Sequence, residues 1–263
     1  MSFNSIVIVR EVWDTRDLVG NVLDDSGNIK ESGLQTRFEP EDLNALEMAL
    51  KIKDEHGGAV TAISAGKVNN IDVLRECLYR GVDKVMRINI GDEKLDSISL
   101  GKVYSQAIKK IGAYDLLFCG VNVVEGENSH PGVVAARMSG IEHISYIDNI
   151  EKIGEGIIQG KRAIEMGYEV VESKLPAAII AGVSLLKDDP RTPRSAKAKL
   201  KLKMKKVPIE SWSISDLGID DLSKFKTTSV SGYEAVLQKE IESKQIDPKN
   251  EAELKQMLEE IIQ

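Results

Sequence analysis

The chain has 263 residues, 42% of them apolar, enough for one large α/β domain with a sizeable core or for two small ones. Its 42 acidic residues outnumber 35 basic ones for a formal charge of −7, and only 5% of residues are aromatic. That balance excludes a general nucleic-acid binder, which needs a net basic surface, and a stacking platform for single strands. No apolar run reaches the ~18 residues of a membrane span. The N-terminus lacks a basic n-region and a small-residue cleavage site, and Cys77 and Cys119 sit far apart in apolar runs, as buried reduced thiols do. A cytoplasmic setting is expected.

In chain order, residues 6–9 (Ile-Val-Ile-Val) read as a first strand. Pro40, Glu41 and Asp42 open a helix to about residue 56, with proline in the first turn and acids at the positive end of the macrodipole. Residues 59–64 read as a second strand, 70–79 as a helix, 84–88 as a third strand and 97–111 as an amphipathic helix. Residues 115–120 form the most apolar strand, and a polar, Gly-containing exit leads to a helix at about 133–139. Beyond residue 141, three segments (144–150, 156–163 and 168–172) read as antiparallel strands joined by glycine turns, and 177–183 as another buried strand. A basic stretch follows at 194–206, then a polar tail ending in an amphipathic helix at 251–262. Short β-branched runs alternating with helices predict an open, mostly parallel sheet with flanking helices, an antiparallel extension and a C-terminal arm. The expected division is a nucleotide-binding domain at 1–190, a basic segment at 191–206, and an arm at 207–263 that contacts a partner.

Several motifs are absent. No G-x-G-x-x-G follows the first strand, Gly66-Lys67 lacks the first glycine and the hydroxyl of a P-loop, and no G-x-S-x-G is present. His56, His130 and His143 have no metal-ligand spacing, so no metal and no self-contained catalytic residue set is expected. What remains is the exit of the strand at 115–120: Gly120, Val121, Asn122, Val123, Val124, Glu125, Gly126, Glu127, Asn128, Ser129, His130 and Pro131. Open α/β sheets bind ligands outside the carboxyl ends of their strands, and a loop at a helix N-terminus suits phosphate. Ser129 is the candidate helix cap. The exits at Arg10 and at Ala65 and Gly66 open on the same edge, which points to an adenine-nucleotide pocket. An ordinary turn and cap is the competing reading. The basic stretch reads either as a solvated edge, with alternating lysines blocking strand pairing, or as a docking surface for an acidic partner.

With these residues located, the chain resembles the β subunit of electron transfer flavoproteins (the EtfB/FixA type) over nearly its whole length. The similar segments are the first strand running into Arg10, the helix start at 38–47, Leu-Arg-Glu-Cys-Leu-Tyr-Arg-Gly-Val-Asp at 74–83, Gly-Tyr-Glu-Val-Val-Glu-Ser-Lys-Leu-Pro-Ala at 167–177, and Asp-Pro-Arg at 189–191. The resemblance implies a heterodimer. Its β subunit holds AMP or, in electron-bifurcating members, FAD, and its α subunit carries another FAD. Together they move electrons between NADH or dehydrogenases and flavoprotein or ferredoxin-type partners. It also implies nucleotide contacts at Ile8, Glu39, Pro40, Glu41, Asp42, Ala65, Gly66 and 120–131, with Arg10 near a flavin or the subunit interface, or else in a surface ion pair.

It further implies docking of an acyl-CoA dehydrogenase-like flavoprotein on Arg191, Arg194, Ser195, Lys197 and Lys199. Two departures stand out. The loop reads Glu-Gly-Glu-Asn-Ser-His-Pro-Gly, whose Gly126 resembles bifurcating members, and Ser195 stands where the family has an apolar Leu anchor. Docking is therefore expected to rely on charge and to weaken steeply with salt. The competing class is a stress-protein-like ATP- or AMP-binding sensor without a redox role.

Overall fold

In the computed structural model, residues 1–14, 24, 30, 34–66, 71–91, 95–121, 130–182, 194–229 and 250–262 are described. Two compact units are present: Met1–Val22 with Lys30–Ser231, and Leu23–Ile29 with Gly232–Gln263. The larger unit runs β1 (Ser5–Ile8), β2 (Glu11–Trp13), β3 (Thr36–Phe38), α1 (Pro40–His56), β4 (Val60–Gly66), α2 (Ile71–Arg80), β5 (Lys84–Asn89), α3 (Ser97–Ile111) and β6 (Leu116–Gly120). It continues with α4 (Pro131–Met138), β7 (Glu142–Ile147), β8 (Asn149–Gly154), β9 (Ile157–Ile164), β10 (Gly167–Lys174), β11 (Ala177–Ala181), α5 (Ala198–Met204) and β12 (Glu210–Ser213). The smaller unit contributes α6 (Glu251–Ile262), whose first turn carries Glu251 and Glu253 at the positive helix end. No helix among the described residues is long and apolar enough to cross a membrane.

The main sheet has seven strands in the order β12-β5-β4-β1-β6-β11-β7, and every pairing is parallel. The α/β expectation thus holds. From β1 the chain winds to β4 and β5 on one side and then to β6 and β11 on the other, so order reverses between β1 and β6. One face buries Val7, Val60 and Ala62 against Leu46, Leu50, Leu74 and Cys77 of α1 and α2. The other buries Ile6, Ile8 and Ile63 against Val103, Tyr104, Ile108 and Ala135 of α3 and α4. Both cysteines are buried free thiols.

Three elements depart from expectation. Residues 144–150 are not one antiparallel strand: β7 stops at Ile147 and pairs parallel with β11 as the sheet edge. Buried Asp148 then takes the Ala163 N–H at 2.8 Å and turns the chain into β8. An edge strand exposes one face, so its alternation imitates an antiparallel strand. The antiparallel extension itself is real, as a three-stranded sheet β10-β9-β8. The lysine alternation at 199–203 belongs to helix α5 rather than to an extended edge. Ala, Leu, Lys and Met are all strong helix formers, and a period of two in lysine does not override that. Finally, Glu210–Ser213, expected within the arm, extends the main sheet as β12 beside β5, where the Lys110 ammonium lies 4.5 Å from the Trp212 ring centre.

The chain after β12 is tied down by Asp96, the N-cap of α3. Its Oδ1 accepts the Ser99 N–H at 2.9 Å, and its Oδ2 accepts the Thr227 and Thr228 N–H groups at 2.5 and 2.9 Å. Burial alone would raise this carboxyl, but the N–H donors of Ser99, Thr227 and Thr228 outweigh it and hold the group well below the usual carboxylate range. A depressed folded-state pKa stabilises the fold above the unfolded value of ~3.9, and that contribution is lost as pH falls below it. Asp96→Ala is expected to lower the unfolding free energy by about 2 kcal/mol at pH 7, with the difference from wild type shrinking below pH 4 in urea melts. A difference independent of pH would contradict this role.

Candidate functional site

The site expected from sequence lies at the carboxyl ends of β1, β4 and β6, where the strand order reverses. Its centre is a buried ion pair. Arg10, just past β1, donates from Nε to Asp42 Oδ2 at 2.7 Å and from Nη2 to Asp42 Oδ1 at 2.8 Å. Asp42 Oδ1 also accepts the Gly120 N–H at 2.8 Å, so one carboxylate joins the β1 exit, the β6 exit and the first turn of α1. The arginine side chain is 7% exposed and the aspartate 0%. Burial disfavours the guanidinium charge, but the Asp42 carboxylate more than offsets it and holds Arg10 charged. The pair is therefore neither a surface ion pair nor a loose cation awaiting a ligand: its bidentate fork is committed to Asp42.

Close approach lets this happen. A Cβ on Gly120 would lie 2.6 Å from the Glu41 Cβ and 2.9 Å from the Asp42 backbone N, so only glycine lets α1 seat on β6. Gly132 plays the same part for α4, since a Cβ there would fall 2.0 Å from Cys119 Sγ. Cys119 is fully buried, and burial followed by the charge of Asp42 pushes its thiol up to about 12. It stays protonated and is no nucleophile.

The other expected contacts gather on the same edge. Ile8 is buried, Ala65 is 8% exposed and Gly66 half-buried. The Ala65 N–H donates to Tyr104 Oη at 3.1 Å. Glu39 is the N-cap of α1, with no side-chain cap bond, and its N–H donates to Arg10 O at 3.1 Å. Glu39 and Glu41 are buried and Pro40 half-buried. Val121 is buried and donates its N–H to Ala181 O. His130 is exposed, Pro131 buried. The N-cap of α4 is His130, without a side-chain cap bond, in place of the expected Ser129. Asn122, Val123, Val124, Glu125, Gly126, Glu127, Asn128 and Ser129 lie outside the described residues, as does Arg191. A cavity of about 110 Å³ occurs elsewhere, between α1 and β8, and is lined by none of the expected nucleotide contacts.

Of the expected docking residues, Ser195, Lys197 and Lys199 are exposed. Arg194 is not free: it grips Glu47 through Nε at 3.0 Å and Asp54 through Nη1 at 2.7 Å, fixing the start of the basic segment to α1.

Sequence reasoning missed Tyr104, which seals the β4 exit from the α3 side, and Arg87 of β5. Arg87 lies in register between Ser64 and Ser211, and its Nε and Nη2 are buried without a hydrogen-bond partner among the described residues. Unpaired buried donors cost about 1–3 kcal/mol. Arg87→Met keeps the stem, and it is expected to raise the unfolding free energy by about that amount in urea. A loss of stability would show that the charge supports the fold.

The two helix N-termini at this edge differ in charge. The first turn of α1 carries Glu41 and Asp42, whereas that of α4 carries no acid. An anion is favoured at α4 and repelled at α1.

Comparison with known proteins gives the family. The electron transfer flavoprotein domain family matches residues 26–217. An electron transfer flavoprotein subunit β of Thermoanaerobacterium thermosaccharolyticum is 31% identical over 179 residues, covering 68% of this chain and 67% of that protein. A FixA protein of Azorhizobium caulinodans is 30% identical over 230 residues, covering 83% and 78%. An acryloyl-CoA reductase electron transfer subunit γ of Anaerotignum propionicum is 31% identical over 176 residues, covering 66% and 65%. The chain belongs to the electron transfer flavoprotein family, in its β-subunit and FixA branch.

Proposed function

We propose that this chain is the β subunit of an electron-carrying heterodimer, holding AMP or FAD at the carboxyl edge of β1, β4 and β6 while an α subunit carries FAD. The observation that carries this reading is the family match across residues 26–217, which spans the reversal point between β1 and β6 except for the first strand. A bound flavin would supply the redox chemistry. The chain would supply position and electrostatics. Ile8, Ala65 and Val121 offer an apolar rim, the first turn of α4 offers amides to phosphate, and the Arg10–Asp42 pair locks the exits of β1 and β6 so that the rim keeps its shape. Electrons would pass between NADH or a dehydrogenase and a flavoprotein or ferredoxin-type acceptor. The relative named as a subunit of acryloyl-CoA reductase supports an acyl-CoA enzyme as partner.

The test is co-expression with an electron transfer flavoprotein α subunit, purification of the complex, heat release, and absorbance with mass analysis of the extract. Flavin with one further adenine nucleotide per heterodimer is expected: two FAD if the subunit bifurcates, one FAD and one AMP if it does not. A colourless monomer that binds ATP would overturn the reading in favour of a sensor.

A further inference from the structure

We infer that Arg87 on β5 anchors a second ligand site, on the α1 and α2 face of the main sheet, that takes an oxyanion group (a phosphate or a carboxylate) in its guanidinium fork. Nε and Nη2 of Arg87 are buried without a hydrogen-bond partner among the described residues. They are the same two nitrogens with which Arg10 clasps the Asp42 carboxylate, at 2.7 and 2.8 Å. Arg87 therefore offers that parallel pair of donors with no carboxylate opposite. Two oxygens of one oxyanion meet such a fork together, whereas a lone water meets it singly. Native folds pair their buried donors, and an orphaned pair marks the place of a bound ion or ligand.

Strand alternation fixes the face. Met86 and Ile88 belong to the core under α3, so Arg87 between them turns to the opposite side, towards α1 and α2. By the same alternation Ser64, between Ile63 and Ala65, and Ser211, before Trp212, share that side. Both stand in register with Arg87, so a polar row crosses β4, β5 and β12 towards their carboxyl ends. Ser64 is buried, Arg87 half-buried and Ser211 exposed. The row is thus closed at β4 and open to solvent at β12, and a hydroxyl on either side of the fork can add a donor to an oxyanion. This place is separate from the nucleotide edge. In the strand order β5 stands three strands from β6, about 14 Å at the usual spacing, and α4 packs on the other face. A phosphate at the first turn of α4 does not reach Arg87.

The experiment follows urea unfolding of the full chain at constant ionic strength, with chloride replaced stepwise by inorganic phosphate or by malonate. At one hundred times the dissociation constant of the bound anion, the unfolding equilibrium constant is expected to fall about 100-fold relative to chloride. A stronger response to phosphate assigns the site to a phosphate-bearing ligand, and a stronger response to malonate to a carboxylate; either supports it. Arg87→Met should lose the saturable response and keep only the non-saturating stabilisation that excluded salts give any fold. Arg87→Lys, which carries the comparison where Arg87→Met does not fold, keeps the charge without the fork and should weaken anion binding about tenfold or more. An equal saturable response in both variants would show an adventitious ion only, held elsewhere, and would overturn the site. So would a wild-type chain with no saturable response to either anion. Neither result touches the function proposed above, which rests on the opposite face and the β1 and β6 exits.

Discussion

Asp42→Ala should destabilise the chain by about 3–5 kcal/mol, because it strands the buried Arg10 charge and removes the acceptor of the Gly120 N–H. Asp42→Asn keeps an acceptor for Gly120 but not the opposing charge, so it should fall between Ala and wild type. The double variant Arg10→Met, Asp42→Leu removes both charges and should recover most of the loss, since a buried ion pair is often matched by apolar residues of similar volume. Urea unfolding at neutral pH measures all three. If Asp42→Ala cost less than about 1 kcal/mol, water would have to reach Arg10, and the exit of β1 would not be tightly closed.

Gly120→Ala should have the second largest effect. The new Cβ meets the Glu41 Cβ and the Asp42 backbone, neither of them the free end of a flexible side chain, so α1 must lift from β6. Overpacking of this kind costs about 1–3 kcal/mol. Because the displaced turn holds Asp42, the variant heterodimer should also retain less adenine nucleotide after gel filtration, measured by extraction. Ser195→Ala, at an exposed position, serves as the control and should change stability by no more than about 0.5 kcal/mol. A Gly120→Ala protein as stable as wild type, with full nucleotide content, would show that close contact between α1 and β6 is unnecessary.

Much of the fold is legible because its signals are local. β6 is a continuous apolar run, and its five residues are all buried. The period of α3 and the glycine after it mark a helix that the structure places at Ser97–Ile111, with Gly112 as its C-cap. α1 is less legible as an amphipathic helix: Ala45, Leu46, Met48, Ala49, Leu50 and Ile52 are buried around more than one side, as happens when a helix is covered by the main sheet and by further chain. β7 and α5 mislead because local alternation is compatible with more than one partner, and the partners are β11 and α2, distant in sequence.

The site follows the same division. Which loops converge can be read from strand exits, since topology rules fix the edge that binds ligands. Which side chains pair across that edge cannot. Arg10 and Asp42 are 32 residues apart and Asp42 and Gly120 are 78 apart, and neither spacing carries a local signature. Asp42 read as a helix-start acid turns out to be the partner of Arg10. Arg194, read as a docking cation, turns out to be spent on Glu47 and Asp54.

The most direct test is the electron density of the intact heterodimer at the carboxyl edge of this subunit. An adenine nucleotide is expected there, its adenosine beside Ile8, Ala65 and Val121, its phosphate at the first turn of α4, and Arg10 still clasped to Asp42. A rim filled by this subunit's own side chains and backbone, with no nucleotide between β1, β4 and β6, would contradict it.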